Sequence, residues 1–328
     1  MTIYNIDALK LIADTYIPYL RGVAELYAAT EYITPEEFCN ARVKDADALI
    51  IRTRTRAGRE LLEGTQVRMV ATATIGYDHI DTAWCEQNGV HWTACPGCNA
   101  QGVCDYVEEA LKEAENWKPD AGCGMTIGIV GVGHVGSKVA QMAERMGYRV
   151  LLNDPPKGIG VTLDEIAEES DIITFHTPLT MEGEYRTYHL CDRTFLAKCK
   201  DDAMIINAAR GGVVDEEALL QSGHKCVIDC WENEPRINVR LLESRNTVGA
   251  SYHIAGYTAE GKLNATKMCI EALRTFFSLR ALPDEEKALT LQPEQRGDSS
   301  AGWLKRLTEQ LKAAPENFEL LRKQYKLR

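Results

Sequence analysis

The chain has 328 residues, 45% of them hydrophobic and 26% charged, with a formal net charge of -11. That length calls for two domains, and the acidic balance, with no basic stripe of interleaved aromatics, argues against nucleic acid and anionic membranes as partners. No apolar run reaches the roughly 20 residues of a membrane span, no basic leader opens the chain, and the odd number of scattered cysteines suits reduced thiols in a cytoplasmic protein.

In the first ninety or so residues, "LKLIAD", "ALIIRT", "VRMVATAT" and "VHWTAC" read as short strands, with "TPEEFCNA" and "AGRELLEG" as helical or turn segments between them. Pro, Gly and Asn then crowd into "CPGCNA", which marks a seam between domains and a hinge, with a helix beginning near Gln101. Cys95 and Cys98 form a C-x-x-C pair there, with Cys104 close behind. Neither a second pair nor histidines at metal spacing accompany them, so no metal site is expected.

From about residue 125 the pattern alternates. "MTIGIV", "RVLLND", "DIITFHT", "AMIINAA", "HKCVIDC" and "NTVGAS" are strand-like and are separated by helical segments. This implies right-handed crossovers and a parallel sheet covered on both faces. The first of these strands runs into "GIVGVGHVG", where Gly131, Gly133 and Gly136 form G-x-G-x-x-G at the start of a helix reaching about Met146. Such a turn allows close backbone approach to a pyrophosphate, and the helix N-terminus offers free N–H groups. Asp154 ends the next strand, where a carboxylate accepts from ribose hydroxyls and repels a 2'-phosphate, favouring NAD over NADP; Lys157 nearby weakens that preference. The alternative is a structural turn with no ligand.

Three further residues follow later strands, where open α/β sheets bind ligands. Arg210 sits in "INAARGGVVDEEAL" and suits a bidentate clamp on a carboxylate, or else a surface pair with Glu216 or Glu217. Glu234 closes "VIDCWENEP", and His253 sits in "SYHIAGYT". Either alone reads as a solvated or structural residue. Together, beside a dinucleotide motif, the three suggest a base, its orienting acid and a substrate clamp. A long helical pattern, "TAEGKLNATKMCIEALRTFFS", comes next, then a polar linker-like stretch and one or two amphipathic helices.

The ordered set "GVGHVG", "NAARGGVVDEEAL", "DCWENEP" and "HIAG" resembles the D-isomer-specific 2-hydroxyacid dehydrogenases over roughly residues 10–280. The resemblance implies an α/β chain in which a Rossmann-type NAD domain, with a doubly wound parallel sheet, is inserted in a flavodoxin-like α/β substrate domain. The expected substrate domain is 1–97 and 257–282, the NAD domain is 98–256, and 283–328 is a linker and short helical tail with a possible role in dimerisation. The active site is expected in the cleft. By the same resemblance Arg210, Glu234 and His253 are catalytic. The expected cofactor-binding residues are Gly131, Gly133, His134, Val135, Gly136, Asp154, Thr177, Asn207, Ala208, Arg210, Asp229 and Gly256. "ATATIGYDHID", "PGCNA", "LLNDPP" and "HIAGYT" are similar to a branch acting on a phosphorylated 2-hydroxy acid, which implies substrate contacts at Thr53, Thr74 and Tyr257. Arg52 and Arg54 would concentrate positive charge for the phosphate, unless they are simply solvated. The branch carries a longer C-terminal dimerisation domain; in this chain "ENFELLRKQYKLR" resembles only a fragment of it, and any substrate contact made from that domain would fall to Arg322 or Lys323. A homodimer is expected. Ser251 and Tyr252 also stand where Thr-Pro is usual. A member acting on glycerate or 3-phosphoglycerate, and an NAD-sensing protein without turnover, are the other readings.

Overall fold

The computed structural model describes residues 9–117, 124–289 and 300–327; the linker-like stretch at 290–299 lies outside them. The chain forms two compact units, Met1–Asn99 with Thr258–Arg296, and Ala100–Tyr257 with Gly297–Arg328.

The first unit is built on a five-stranded parallel sheet in the order β2-β1-β3-β4-β5. Its strands are β1 (Lys10–Asp14), β2 (Ala29–Ile33), β3 (Ala48–Ile51), β4 (Met69–Thr72) and β5 (His91–Thr93). Every residue of β3 and β4 is buried, as expected of parallel strands covered on both faces. The sequence reading missed β2: it lies at the sheet edge, and only Ile33 of its residues is buried, so it lacks the apolar run that marks its neighbours. The helix Ala259–Phe276 packs Leu263, Cys269, Ile270 and Leu273 into one core with Leu11, Ala48 and Ile50. Cys95 and Cys98 are buried in that core as well. The Cys95 thiol lies 3.3 Å from the carbonyls of Thr72 and Ala265 and 3.6 Å from Cys269 Sγ. Burial, reinforced by Cys95, pushes the Cys98 thiol up to about 12. These thiols behave as small apolar side chains.

The second unit carries a seven-stranded sheet in the order β12-β11-β10-β9-β6-β7-β8. The strands are β6 (Thr126–Val130), β7 (Arg149–Asp154), β8 (Ile159–Gly160), β9 (Ile172–Phe175), β10 (Met204–Asn207), β11 (Lys225–Ile228) and β12 (Thr247–Ala250). The order reverses between β6 and β9, which makes the ends of those strands the topological switch point where doubly wound sheets bind ligands. The sheet is not parallel throughout. Two-residue β8 runs antiparallel to β7, reached through Gly158 at φ 63 and Gly160 at φ 85, and a Cβ on Gly160 would lie 1.7 Å from the Leu152 carbonyl oxygen.

The C-terminal segment, expected as a linker and short helical tail over 283–328, carries the helices Trp303–Ala313 and Phe318–Gln324. Its described residues 300–327 belong to the second unit. The helix Trp303–Ala313 lies against β12, an edge strand, and the Ala250 N–H donates to Thr308 Oγ1 at 2.8 Å. Leu304, Leu311 and Phe318 are 0% exposed in the core that also contains the sheet. Burying each is worth ~1.5–3 kcal/mol, so the amphipathic tail finds its apolar partner within its own unit. Among the described residues no helix is long and apolar enough to cross a membrane.

Candidate active site

The glycine turn after β6 has the shape the motif requires. Gly131 has φ 92, and a Cβ there would sit 2.8 Å from the carbonyl of His176. At Gly136 a Cβ would meet the Gly131 oxygen at 2.0 Å, whereas Gly133 has open space around it. The helix His134–Arg145 starts with no side-chain cap, so its first N–H groups have no side-chain acceptor at the N-cap. His134 is exposed and Val135 half-buried in its first turn. Beside Gly131, the Thr177 hydroxyl is buried with no partner among the described residues. Asp154 Oδ2, at the end of β7, accepts from Val132 N–H at 2.8 Å and lies 3.6 Å from Lys157 Nζ, which itself donates to the Val132 carbonyl at 2.7 Å. An uncapped helix start, an open glycine, an orphan hydroxyl and a carboxylate at the second strand end fit a dinucleotide. Lys157 is tied to the turn and to Asp154.

Two loops at the far end of the sheet bring Glu234 and His253 together. Asp229, 1% exposed, organises the second loop. Its carboxylate accepts from the Ser251 hydroxyl at 2.6 Å, Ile254 N–H at 2.7 Å and Ala255 N–H at 3.0 Å, while its carbonyl accepts from His253 N–H at 2.9 Å. These bonds hold His253 at φ 59, a left-handed conformation that costs a non-glycine residue ~1–3 kcal/mol. Ser251, in place of the usual threonine, thus supplies one of the anchoring hydroxyls. Trp231 ties the loops together: its indole N–H donates to the Ser251 carbonyl at 2.8 Å and its backbone N–H to Glu234 Oε1 at 2.9 Å. His253 Nδ1 lies 2.8 and 3.0 Å from the two Glu234 oxygens. Burial pushes the Glu234 carboxyl up, but His253, the Trp231 N–H and Arg322 outweigh it and hold the group below its usual range. An ionised carboxylate only accepts, so Nδ1 carries the proton and Nε2 presents its lone pair.

Arg210 follows β10 in a turn shaped by Asn207, whose side-chain amide donates to the carbonyls of Arg210 and Cys230 at 3.0 and 3.1 Å. Asn207 and Ala208 are buried, and the Asn207 side chain faces the protein. The surface pairing of Arg210 with Glu216 or Glu217 does not occur. Glu216 accepts from the Glu232 N–H, Glu217 pairs with Arg240 at 3.3 Å, and Arg210 forms no ion pair among the described residues. Cys230, Glu234 and His253 place ligand-type atoms within 4.8 Å of one another. Burial, with the charges of Asp229 and Glu234, pushes the Cys230 thiol well above its ordinary value, against the pull of Arg210 and Arg322.

Arg322, on the short helix Phe318–Gln324, enters this neighbourhood from the C-terminal segment. Its guanidinium lies 5.5 Å over the Tyr257 ring and 3.5 Å from Glu319, and its Nε is buried with no partner among the described residues. Burial works against its charge, but Tyr257, Glu234 and Glu319 more than compensate. The resemblance singles out Arg322 or Lys323 for a contact from this segment, but nothing local in the sequence shows where the tail docks. Tyr257 and Gly256 are half-buried residues of the same unit. Thr53, Thr74 and Arg52 belong to the first unit, after β3 and β4. Thr53 is exposed, the Thr74 hydroxyl donates to the Gly76 carbonyl at 2.8 Å, and Arg52 donates to the Tyr16 carbonyl at 3.2 Å.

Residues 105–255 match the model of the D-isomer specific 2-hydroxyacid dehydrogenase NAD binding domain. Erythronate-4-phosphate dehydrogenase from Bacteroides thetaiotaomicron is 45% identical over 98% of this chain and 97% of its own length. The chain belongs to the D-isomer specific 2-hydroxyacid dehydrogenase family. It is therefore an NAD-dependent oxidoreductase acting on a CH–OH group. The Porphyromonas gingivalis protein of the same name is 41% identical over 83% of this chain and 76% of its own. Among solved structures, NAD+-bound 3-phosphoglycerate dehydrogenase from Entamoeba histolytica superposes with a TM-score of 0.68 at 25% identity, covering 83% of this chain and 96% of that one. The TT0316 protein of Thermus thermophilus gives 0.71 at 24% identity over 83% and 98% and shares the fold.

Proposed function

We propose that this dehydrogenase oxidises 4-phospho-D-erythronate at C2 to the 2-oxo-4-phospho acid, a step of pyridoxine biosynthesis. The substrate follows from the full-length likeness to relatives of that name. The observation that carries the chemistry is the Glu234–His253 contact at 2.8 Å, in the same unit as the glycine turn and Arg210.

NAD, when bound, supplies the hydride acceptor; Gly131, Gly133, Gly136, Asp154 and Thr177 would hold it. The Arg210 guanidinium clamps the substrate carboxylate, a role its fork geometry serves better than a lysine would. His253 Nε2 accepts the C2 hydroxyl proton as the C2–H bond breaks and the carbonyl forms, so the proton ends on the imidazole. Glu234 keeps Nδ1 protonated and stabilises the resulting imidazolium. Asp229 positions His253 through the loop. Arg322, the second cation beside this pair, is assigned to the phosphate end, with Tyr257 beneath it. We also place the enzyme in the cytoplasm, consistent with its unbridged thiols, and as a homodimer, for which the exposed Val239 and Leu320 offer apolar surface; light scattering tests the latter.

The deciding experiment follows NADH formation with 4-phosphoerythronate, glycerate and 3-phosphoglycerate. A kcat/KM for 4-phosphoerythronate at least ~100-fold above the others supports the assignment. Preference for either of the other acids transfers it to that substrate, and no turnover with any, alongside normal NAD binding, leaves a sensor.

A further inference from the structure

Glu216 is a buried acid that the mechanism above does not use. It is the first residue of the helix Glu216–Ser222, directly after the cap Asp215, and is 4% exposed. Among the described residues no cation pairs with it, and the charges that act on it most strongly, Glu232, Glu234 and Asp215, are all acidic. A carboxylate in such a place is costly unless it satisfies a particular donor. That donor is the Glu232 N–H, 2.7 Å from Glu216 Oε1.

Glu232 lies in the turn that presents Glu234 to His253. Trp231 N–H holds the Glu234 carboxylate at one end of that turn, and the Trp231 carbonyl packs against Gly211, where a Cβ would lie 1.9 Å from its oxygen. The Glu232 side chain is engaged elsewhere: it accepts from His189 Nε2 at 2.8 Å and the Tyr188 hydroxyl at 3.2 Å, with His189 Nδ1 3.8 Å from Asp215. The backbone N–H of Glu232 therefore depends on Glu216.

We propose that Glu216 is a positioning residue for the dehydrogenase reaction, holding the Trp231–Glu234 turn at the register where Glu234 meets His253. This rests on the reading of Glu234 and His253 as the acid–base pair. Burial, with the neighbouring carboxylates, pushes the Glu216 carboxyl up to about 7, while the Glu232 N–H pulls the other way. The ionised form is the stronger acceptor, so the turn is held best above that pH. A protonated Glu216 still offers its carbonyl oxygen, so this ionisation adds only a shallow step to the acid limb of activity.

The test compares Glu216→Gln and Glu216→Ala in the full-length enzyme, with exposed Glu217→Gln as control, by steady-state kinetics with NAD and 4-phospho-D-erythronate. Alanine leaves the Glu232 N–H without its acceptor and should lower kcat on the order of 10-fold, with both KM values within about 2-fold. Glutamine keeps an acceptor oxygen, so kcat should return to within about 3-fold, and the shallow step near pH 7, of no more than that size, should disappear from its pH profile. A folded alanine variant with wild-type kcat, an effect on KM instead of kcat, glutamine as impaired as alanine, or an unchanged step near pH 7 in Glu216→Gln each overturns the proposal. If the alanine variant does not fold, Glu216→Asp decides: a carboxylate drawn back by one methylene from the Glu232 N–H should lower kcat by roughly 3- to 10-fold with both KM values unchanged, and wild-type kcat overturns the proposal. His253→Ala, run alongside, separates the two readings. Retained turnover there sinks the acid–base pair, whereas lost turnover with unaffected Glu216 variants sinks only this inference.

Discussion

Replacing Glu234 by glutamine exchanges one oxygen for a nitrogen and should cost more than that small change suggests. Glu234 Oε1 accepts from the Trp231 N–H at 2.9 Å, and Oε2 lies 2.8 Å from His253 Nδ1. The Trp231 N–H can only donate, so it selects the amide oxygen of the introduced glutamine for itself and turns the amide nitrogen toward the imidazole. Nδ1 then accepts from that nearer nitrogen in preference to donating along the longer 3.0 Å contact to Oε1, which moves the ring proton to Nε2, the nitrogen that has to take the substrate's hydroxyl proton. General-base assistance of this kind is worth roughly 10²–10⁴-fold, and a wrongly set tautomer removes most of it, so kcat near neutral pH should fall on the order of 10³-fold, or about 4 kcal/mol of barrier. The KM for NAD should change little, because the glycine turn is untouched. Initial rates of NADH formation, with NAD affinity measured separately by fluorescence quenching, provide the assay. Activity within about 10-fold of wild type would refute the tautomer reasoning, as would a Glu234→Ala variant much worse than Glu234→Gln.

Four other outcomes follow from the same geometry. Arg210→Lys exchanges a fork for a point charge and should raise the KM for the hydroxy acid by ~10-fold or more, with the KM for NAD within about 2-fold, in steady-state titrations. Gly136→Ala places a methyl 2.0 Å from the Gly131 oxygen, so NAD binding measured by calorimetry should be lost, or the soluble yield should collapse. Arg322→Gln should raise the KM for 4-phosphoerythronate by at least ~10-fold, with far less effect on any residual activity toward glycerate, which has no phosphate to lose. The Glu216 carboxyl is raised in the fold from an ordinary 4.5 to about 7, so the unfolded chain ionises first and stability falls as pH rises between those values. At ~1.4 kcal/mol for each pH unit the penalty reaches roughly 3 kcal/mol above pH 7, and Glu216→Gln should raise the melting temperature at pH 8 but hardly at pH 4.5, by differential scanning fluorimetry.

Much of the site was legible in the sequence because its parts are local. The glycine spacing around Gly131 and Gly136 is a steric requirement within one strand–turn–helix unit, and Asp154 ends the strand that follows directly. Parallel strands such as "ALII" and "MVAT" announce themselves because both of their faces are covered. Where a residue's role lies in a partner distant along the chain, spacing alone was silent. Nothing in the spacing around Asp229 shows that its carboxylate spans to the 251–255 loop. Edge strand β2 escaped notice because only one of its residues is buried.

By itself, then, the sequence determined the architecture, the dinucleotide turn and the candidate identities of the base, acid and clamp, since all are written in near-neighbour spacing and residue chemistry. Only the tertiary structure decided that Glu234 meets His253 through Nδ1, that Glu216 is a buried acid bonded to the backbone beneath that pair, and that the C-terminal helices cover β12 and bring Arg322 to Tyr257. Those contacts join residues far apart in the chain, and they are selected by which apolar faces and unsatisfied backbone groups find one another on folding, information that no short stretch of the sequence contains.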